Sequence, residues 1–394
     1  MLHGYLWWRL VRGTTRPGRT RRLLTWLTVV LGLLPAAAVL LRRNVSLSAQ
    51  EPLAWVGFTW LGIAFYAFLA LLVLEPVRLL LRRSTRARVP AQPAAAGPAA
   101  TGPAADPLPA PPDPSRRLFL ARSLAVTAGA VALGTAGTGV YLANSAPVVR
   151  RVPITLPRLD PALDGLRIVT FSDGHLSATY GGRRFERLVE TVNAQRPDVV
   201  AIVGDLVDGE VDELREEVAP LADLVSGQGV YFVTGNHEYF VDTTAWLRHL
   251  STLGVDVLRN ERVAITRGGA SVDLAGIDDR TAASSGVPGH GASVDAALDG
   301  RDDGVPVVLM AHQPVQVEQA RAAGVDLQLS GHTHGGQLWP FDYAIRLDQP
   351  AVEGLSRHGD TQLYVTSGAG YWGPPMRIGA RPEVTVVELR APGG

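Results

Sequence analysis

From residue 165 onward, short apolar runs alternate with stretches of helical spacing, and each run ends at a polar cluster. Residues 167–171, 198–203 and 230–233 are the first three runs. Such near-continuous apolar runs are typical of strands that are covered on both faces of a sheet. The alternation predicts an α/β fold with its polar clusters at the carboxyl ends of strands, where ligand sites collect.

Five of these clusters carry residue types that bind metal ions. They are Asp173-Gly174-His175, the residues 204–208, the residues 235–238, the single His312, and the residues 331–334. Within two of them, Asp173 is followed by His175 and His332 by His334, each pair two residues apart. An extended backbone would point both members of such a pair to one side. We expect the clusters to share one site.

A binuclear metal centre accounts for this set of side chains. The clusters supply carboxylates, one amide and five imidazoles. Because the chain has no cysteine, thiolate ligands are excluded, and the remaining ligands suit Mn, Fe or Zn. Paired ions lower the pKa of a bridging water and bind phosphoryl oxygens. An imidazole outside the metal ligands could then protonate a leaving alkoxide.

The clusters resemble the motifs of the calcineurin-like metallophosphoesterase superfamily, in the same order: D-x-H, G-D-x-x-D, G-N-H-E, a lone H and G-H-x-H. The longer strings GHTHGGQ at 331–337 and GYWGPP at 370–375 resemble a bacterial branch whose members carry membrane segments. The resemblance covers about residues 150–390. It implies a four-layer α-β-β-α sandwich for a catalytic domain at 150–394.

The resemblance also implies a role for each motif residue. One ion would be held by Asp173, His175 and His334, the other by Asn236, His312 and His332, and Asp205 would bridge them. His237 would be the acid that protonates the leaving group, with Asp208 and Glu238 orienting ligands or His237. Local alternatives remain, since Asp208 could be a turn residue and Glu238 a helix cap. Three glycines, Gly204, Gly235 and Gly331, are expected to allow tight turns beside the metals.

Residues outside the motifs have simpler interpretations. We expect His249, His290 and His358 at the solvated surface, and Asp278-Asp279 in structural hydrogen bonds. Aromatic residues near the motifs form either an apolar rim for a lipid or a base, or part of the core: Tyr239, Phe240, Trp339, Phe341, Tyr371 and Trp372.

The first third of the chain predicts membrane spans. Residues 23–41 and 53–74 carry no charge and have about the ~20 residues that cross a bilayer. We assign residues 1–83 to a membrane region with these two spans. A weaker apolar stretch at 118–142, within a segment 115–145, contains Arg122 and predicts a third span or signal anchor.

Arginine distribution predicts the orientation of these spans. Six arginines and no acidic residue precede the first span, and the loop between the second and third spans is again rich in arginine. Both segments should therefore be cytoplasmic. Three crossings would make the chain a multi-pass protein of the cell membrane, and we expect its catalytic domain outside the cytoplasm.

Residues 84–114 are rich in Pro and Ala and predict a disordered linker. The following residues 115–120, SRRLFL, resemble the twin-arginine export motif, which would make the twin-arginine translocase a partner. The alternative is an ordinary arginine flank of a span. Residues 143–145 are a weak candidate for a cleavage site.

The leading functional hypothesis is metal-dependent hydrolysis of a phosphodiester or phosphomonoester, on an envelope or lipid-linked substrate. The alternatives are an extracytoplasmic nucleotide phosphohydrolase, and an inactive membrane-tethered module that binds a phospho-ligand. The formal net charge is +0, so no bulk attraction to nucleic acid is expected.

Overall fold

The computed structural model describes residues 1–41, 45–86 and 114–393. The α-helices of these residues are Leu2–Leu6 (α1), Arg19–Leu41 (α2), Leu47–Val73 (α3), Glu75–Arg86 (α4), Pro114–Ala143 (α5), Arg183–Asn193 (α6), Val211–Val218 (α7), Thr243–Thr252 (α8), Val294–Leu298 (α9), Val317–Ala322 (α10) and Asp342–Ile345 (α11). The strands are Val148–Thr155 (β1), Arg167–Phe171 (β2), Val199–Val203 (β3), Val230–Val233 (β4), Asp256–Val257 (β5), Glu261–Arg267 (β6), Ala270–Gly276 (β7), Val307–Met310 (β8), Leu327–Ser330 (β9), Gly354–His358 (β10), Thr361–Val365 (β11) and Glu383–Arg390 (β12).

Among the described residues, three helices are long and apolar enough to cross a membrane, namely α2, α3 and most of α5. Each begins four to six residues before the span that the sequence predicts. The residues 84–86, which were expected to open the linker, instead continue α4. The rest of the predicted linker, 87–113, lies outside the described residues.

The chain divides into two compact units. One contains Met1–Ala37 and Trp60–Gly137, and the other contains Ala38–Thr59 and Thr138–Gly394. In the first unit, Glu75 pairs with Arg9 and Arg78. The second unit contains the predicted catalytic domain.

Two six-stranded sheets form the second unit, as far as the structure describes it. Their strand orders are β1-β12-β2-β3-β4-β5 and β10-β11-β9-β8-β7-β6. In the first sheet β2, β3 and β4 run parallel, and in the second β7, β8 and β9 do. Because neighbouring parallel strands end at the same edge, the turns that follow them are brought together.

Three apolar clusters define the layers. Side chains from both sheets, such as Val203 and Met310, pack into one buried cluster between them. The outer face of the first sheet packs against α6, α7 and α8 through residues such as Trp246. The outer face of the second sheet packs against α9 and α10, with Ala297 and Ala320 buried. The α/β fold and its four layers, α-β-β-α, are therefore confirmed.

Candidate metal centre

Every predicted motif directly follows a strand, as the sequence predicts. Asp173 and His175 follow β2, Asp205 and Asp208 follow β3, and the residues 236–238 follow β4. His312 follows β8, and the pair His332 and His334 follows β9. The turns of both sheets thus meet at the carboxyl edge of their parallel strands.

The backbone at these turns is not extended, which corrects one step of the sequence argument. Asp173, His175, Asp205, His332 and His334 all lie in the left-handed region, with φ between 47° and 70°. Such residues cost about 1–3 kcal/mol each unless the surroundings hold them, and they concentrate at functional sites. The paired side chains therefore converge through tight left-handed turns.

Asp173, His175 and His334 form the first group of potential ligands. One ligand atom from each lies within 4.8 Å of the others. The Nε2 atoms of His175 and His334 are 3.0 Å apart, and His334 Nε2 is 3.3 Å from Asp173 Oδ1. Asp173 and His175 are completely buried. This is the set that the resemblance assigns to one ion.

Asp205, His312 and His332 form the second group, again within 4.8 Å. His312 donates from Nδ1 to the Val203 carbonyl at 2.8 Å, which leaves Nε2 facing Asp205 Oδ2 at 3.1 Å. Nearby, the buried Oδ1 of Asn236 has no hydrogen-bond partner among the described residues. These residues are the ones that the resemblance assigns to the other ion.

Asp205, a member of the second group, also faces the first group. Its Oδ2 is 3.1 Å from His312 Nε2 in the second group and 3.8 Å from His175 Nε2 in the first. Its Oδ1 accepts the His237 amide at 2.8 Å. One carboxylate oxygen thus faces ligands of both groups, which is the position that a bridging carboxylate requires.

Asp208 orients two imidazoles at once. Its Oδ1 accepts from His175 Nδ1 at 2.9 Å and from His237 Nδ1 at 2.6 Å. Because a carboxylate bond fixes the proton on Nδ1, the Nε2 atoms of His175 and His237 are left to face the site. This geometry matches the predicted orienting role better than that of an ordinary turn residue.

Glu238 holds the turns rather than a helix. Its carboxylate accepts backbone N–H groups from Gly235 at 2.7 Å, Asp205 at 2.9 Å and Leu206 at 2.8 Å. The side chain is completely buried. The alternative that it caps α8 is wrong, because Asp242 caps that helix through the Ala245 amide.

The charges in the site shift the pKa values of its groups. Burial alone would raise the pKa of Asp205, but the imidazoles of His312 and His237 hold it well below its usual value. Burial opposes a charged His237, yet the carboxylates of Asp205 and Asp208 raise its pKa to about 9. Burial and the nearby His312 lower the pKa of His332 to about 3. Burial and Asp205 raise the pKa of Glu238 to about 7.

Close backbone approach explains two of the predicted glycines. A Cβ on Gly331 would lie 2.2 Å from Ser172 Oγ and 2.5 Å from Asp173 Oδ2. A Cβ on Gly235 would lie 2.2 Å from Asp205 Oδ1. Any side chain at either position would displace a predicted metal ligand.

Sequence reasoning missed Arg377, which is completely buried beside the site. Its guanidinium donates to the carbonyls of Ser367 at 2.7 Å, Gly370 at 2.8 Å, and both His334 and Gly368 at 3.1 Å. The arginine thus joins the turn that carries His334 to the turn that follows β11. No motif marks it, although an arginine after the GYWGPP string was the available signal.

Other expectations had mixed outcomes. The imidazole of His290 was expected at the surface but is only 5% exposed, and its Nδ1 lies 3.0 Å from Tyr239 Oη. Structural bonds are found for Asp278, which binds Arg259, and for Asp279, which accepts from Gln313. Of the aromatic residues, Tyr371 is core, whereas Phe240, Trp339, Phe341 and Trp372 are each more than half exposed.

The donor set fits a divalent cation in each group. Without one, His312 Nε2 and Asn236 Oδ1 are buried atoms with no hydrogen-bond partner among the described residues, and the Nε2 atoms of His175 and His334 face each other. Buried polar atoms in native proteins almost always have partners. Metal coordination would satisfy all of these atoms.

Replacing Asp208 with alanine should weaken metal binding by about 10–100-fold, because groups that orient metal ligands have effects of this size. Both His175 and His237 would lose the bond that fixes their Nδ1 proton. Titration of the purified protein with Mn²⁺ and elemental analysis of its metal content would measure the loss. Asp212→Ala, on a side chain that is 97% exposed, is the matched control. Equal metal affinity in both variants would contradict the orienting role.

The chain is similar in sequence to a known family and to several known proteins. The profile of the calcineurin-like phosphoesterase family matches residues 166–336. A transmembrane protein with metallophosphoesterase domain from Bos taurus is 41% identical over 289 residues, which are 71% of this chain and 64% of that protein. The chain thus spans less than two thirds of the length of this relative.

Two further similarities come from a bacterium and from a solved structure. A metallophosphoesterase from Helicobacter pylori is 37% identical over 278 residues, covering 70% of this chain and 73% of that protein. The crystal structure of a dimetal phosphatase from Danio rerio has a TM-score of 0.37 and 15% identity, and the match covers 52% of this chain and 88% of that one.

Proposed function

Because the chain belongs to the calcineurin-like phosphoesterase family of metal-dependent hydrolases, we propose that it hydrolyses phosphate esters at a binuclear metal centre. The family match and the similarity to the bacterial relative confirm the family that the five motifs predict. The proposal depends on one observation: six of the seven predicted ligand side chains meet in two adjacent groups, and His312 Nε2 and Asn236 Oδ1 are buried without a hydrogen-bond partner among the described residues.

The residues of the site have distinct tasks. Asp173, His175 and His334 would hold one divalent ion, Asn236, His312 and His332 the other, and Asp205 would bridge them. When bound, the two ions would lower the pKa of a water and neutralise phosphoryl oxygens. Ligands of N and O alone favour Mn, Fe or Zn.

His237 is placed to act as the acid. Its Nδ1 is held by Asp208, and its Nε2 lies 4.0 Å from Asp205 Oδ2, at the edge of both ligand groups. A proton on Nε2 would therefore face the departing alkoxide of a phosphate ester bound there. The carboxylates of Asp205 and Asp208 stabilise the protonated imidazole between reactions.

An apolar substituent beside the phosphate is supported by the rings around His237. Phe240 lies edge-on at 5.1 Å between ring centroids, and Trp372 at 5.7 Å. Both rings are more than half exposed. Together with the apolar helices, they favour an envelope or lipid-linked phosphodiester or phosphomonoester. The same rings could stack on a base, which keeps an extracytoplasmic nucleotide phosphohydrolase as the second candidate.

His237→Ala should reduce kcat by about 100-fold or more toward a phenyl phosphodiester, since general acids contribute roughly 10²–10⁴-fold. The loss should be smaller with a nitrophenyl ester, because a weakly basic leaving group needs less protonation. Purified full-length protein with Mn²⁺ would be assayed on both esters and the corresponding monoesters. If wild-type turnover does not exceed that of His237→Ala, the chain acts as a phospho-ligand binding module instead.

The membrane topology completes the proposal. Helices α2, α3 and α5 would span the cell membrane, with the arginine-rich segments in the cytoplasm and the catalytic domain outside it. Export of a folded, metal-loaded domain would suit the twin-arginine translocase, with Arg116 and Arg117 as the recognised pair.

Orientation and export can be tested in one strain series, because the chain has no native cysteine. Val225, 68% exposed, would be changed to cysteine and labelled in intact cells with a membrane-impermeant maleimide. Labelling is expected with the natural arginines and should disappear when Arg116 and Arg117 become lysine. Labelling that survives the lysine pair would make the arginines an ordinary flank of the span. No labelling in either strain would place the domain inside.

A further inference from the structure

An exposed apolar segment directly follows the turn that carries His334. We define the apolar segment as residues 338–347, with the sequence LWPFDYAIRL. Its exposed side chains are Trp339 at 54%, Phe341 at 55%, Tyr343 at 65% and Leu347 at 90%. The short helix α11 within it buries none of its four residues. Exposed apolar surface of this extent marks an interaction site.

Backbone hydrogen bonds through residues 377–378 link the apolar segment to the end of α5, one of the helices long and apolar enough to cross a membrane. Trp339 donates its amide to the Ile378 carbonyl at 2.8 Å, and Leu338 forms a β-bridge with Ile378. Next to it, the Arg377 amide donates to the Gly139 carbonyl at 3.0 Å. A Cβ on Gly139 would lie 3.3 Å from Ile378 Cγ1, so helix and loop are in close contact. Gly139 is one turn before the end of α5 at Ala143.

A second helix meets the same face of the domain. The Arg184 guanidinium lies 5.2 Å from the ring centroid of Trp55, the ninth residue of α3. Arg184 also donates to the Tyr371 hydroxyl at 3.1 Å, and Tyr371 precedes the exposed Trp372. Two independent contacts therefore place apolar helices beside the loops that border the candidate metal centre.

We propose that the apolar segment inserts into the surface of the lipid bilayer that α3 and α5 span. A bilayer suits its chemistry, since Trp and Tyr concentrate at the membrane interface and arginine can extend toward headgroups. The segment contains one acidic and one basic residue, Asp342 and Arg346, so its formal net charge is zero. We therefore expect an apolar contact that does not require anionic lipid. Because α5 and α3 contact the loops next to the apolar segment, the segment stays close to the proposed membrane anchor. A soluble protein partner would not account for this position.

Insertion has a consequence for the substrate, which rests on the function proposed above. His334 lies only four residues before Leu338, so the metal centre would open at the level of lipid headgroups. A phosphate ester in a headgroup could then reach the site while its acyl chains remain in the bilayer.

Insertion can be measured with single introduced cysteines that carry the fluorophore NBD, in full-length protein reconstituted into phosphatidylcholine vesicles. The test position is Leu347→Cys. Leu33→Cys, 62% exposed on α2, reports the proposed membrane anchor, and Val225→Cys reports an exposed apolar position that precedes β4. Val225 thus lies at the amino edge of the sheet, opposite the clusters.

Lipid brominated on its acyl chains should quench NBD fluorescence at positions 347 and 33 by about twofold, because interfacial segments are buried about 5–10 Å deep in the bilayer. Fluorescence at position 225 should be unaffected. The same result is expected with added phosphatidylglycerol. Quenching at 33 without quenching at 347 overturns the insertion alone and would leave a protein partner for the segment. Absence of quenching at 33 overturns the proposed anchor as well, while the Mn²⁺-dependent hydrolysis remains a separate result.

The consequence for substrate has its own readout. Leu347→Asp should lower hydrolysis of a phospholipid ester in vesicles several-fold and leave hydrolysis of a soluble phenyl phosphodiester unchanged. Leu347 is 90% exposed and is not one of the predicted metal ligands, and the exposed Val225, changed to aspartate, is its matched control. Equal rates on the vesicle substrate for both variants would contradict access through the apolar segment.

Discussion

Asp205→Asn should reduce phosphoester hydrolysis by more than about 100-fold, because changing a group that merely orients a metal ligand already costs about 10–100-fold. Asparagine keeps the size of the side chain and can still accept the His237 amide through Oδ1. It removes the negative charge whose Oδ2 faces both ligand groups. The substitution therefore separates charge from shape.

Two measurements would establish this effect. Elemental analysis of protein purified with Mn²⁺ should show less bound metal, and initial rates should fall to the level of the metal-depleted wild type. Asp212→Asn, on a 97% exposed side chain, controls for the loss of one charge. Thermal melting of both variants would show that the fold is kept. Wild-type metal content and rate in Asp205→Asn would exclude a bridging role.

The sequence predicted the buried strands and the order of the motifs because both depend on local composition. β3 and β4 consist of continuous apolar residues and β2 is mostly apolar; nearly all of these residues are buried, and the runs are visible without a structure. Turn residues with metal-binding side chains follow each run. Parallel pairing then brings the turns together, whatever the loops between them.

Edge strands were missed for the opposite reason. β1 contains Arg150, Arg151 and Pro153, and β10 contains Arg357 and His358. Each lies at the end of its sheet, where one side is exposed and charged side chains are tolerated. A rule that looks for continuous apolar runs cannot identify such strands, because their pairing depends on a partner distant in sequence.

The site also depends on features that no local pattern encodes. The left-handed turns at His332 and His334 direct the first imidazole to one ligand group and the second to the other. The role of Glu238 becomes visible only when the amides of Asp205 and Leu206 are in place. In the same way, the bonds of Arg377 reach carbonyls up to 43 residues away.

Arg377→Met should destabilise the catalytic domain by about 3–5 kcal/mol, since each buried acceptor left without a donor costs about 1–3 kcal/mol. Methionine fills similar space but removes the guanidinium bonds to all four carbonyls. The carbonyls of His334 and Gly368 keep the amides of Gln337 and Glu383, whereas those of Ser367 and Gly370 lose their donor. Burial lowers the pKa of Arg377 to about 10, so the group is charged at neutral pH, and losing that buried charge offsets part of the cost.

The change should lower Tm by about 10 °C, given about 2–4 °C per kcal/mol for a domain of this size. Metal affinity should fall too. Without the guanidinium of Arg377, the turn that carries His334 is no longer hydrogen-bonded to the turn at Gly370. The Gly370 amide donates to the carbonyl of Asp173, a predicted ligand, at 2.8 Å. Differential scanning fluorimetry of the full-length protein in detergent would measure the shift.

Arg377→Lys should be intermediate, since an ammonium group has three donors for four carbonyls. The exposed Arg187→Met is the matched control, and an equal Tm in both methionine variants would show that the buried arginine does not hold these turns.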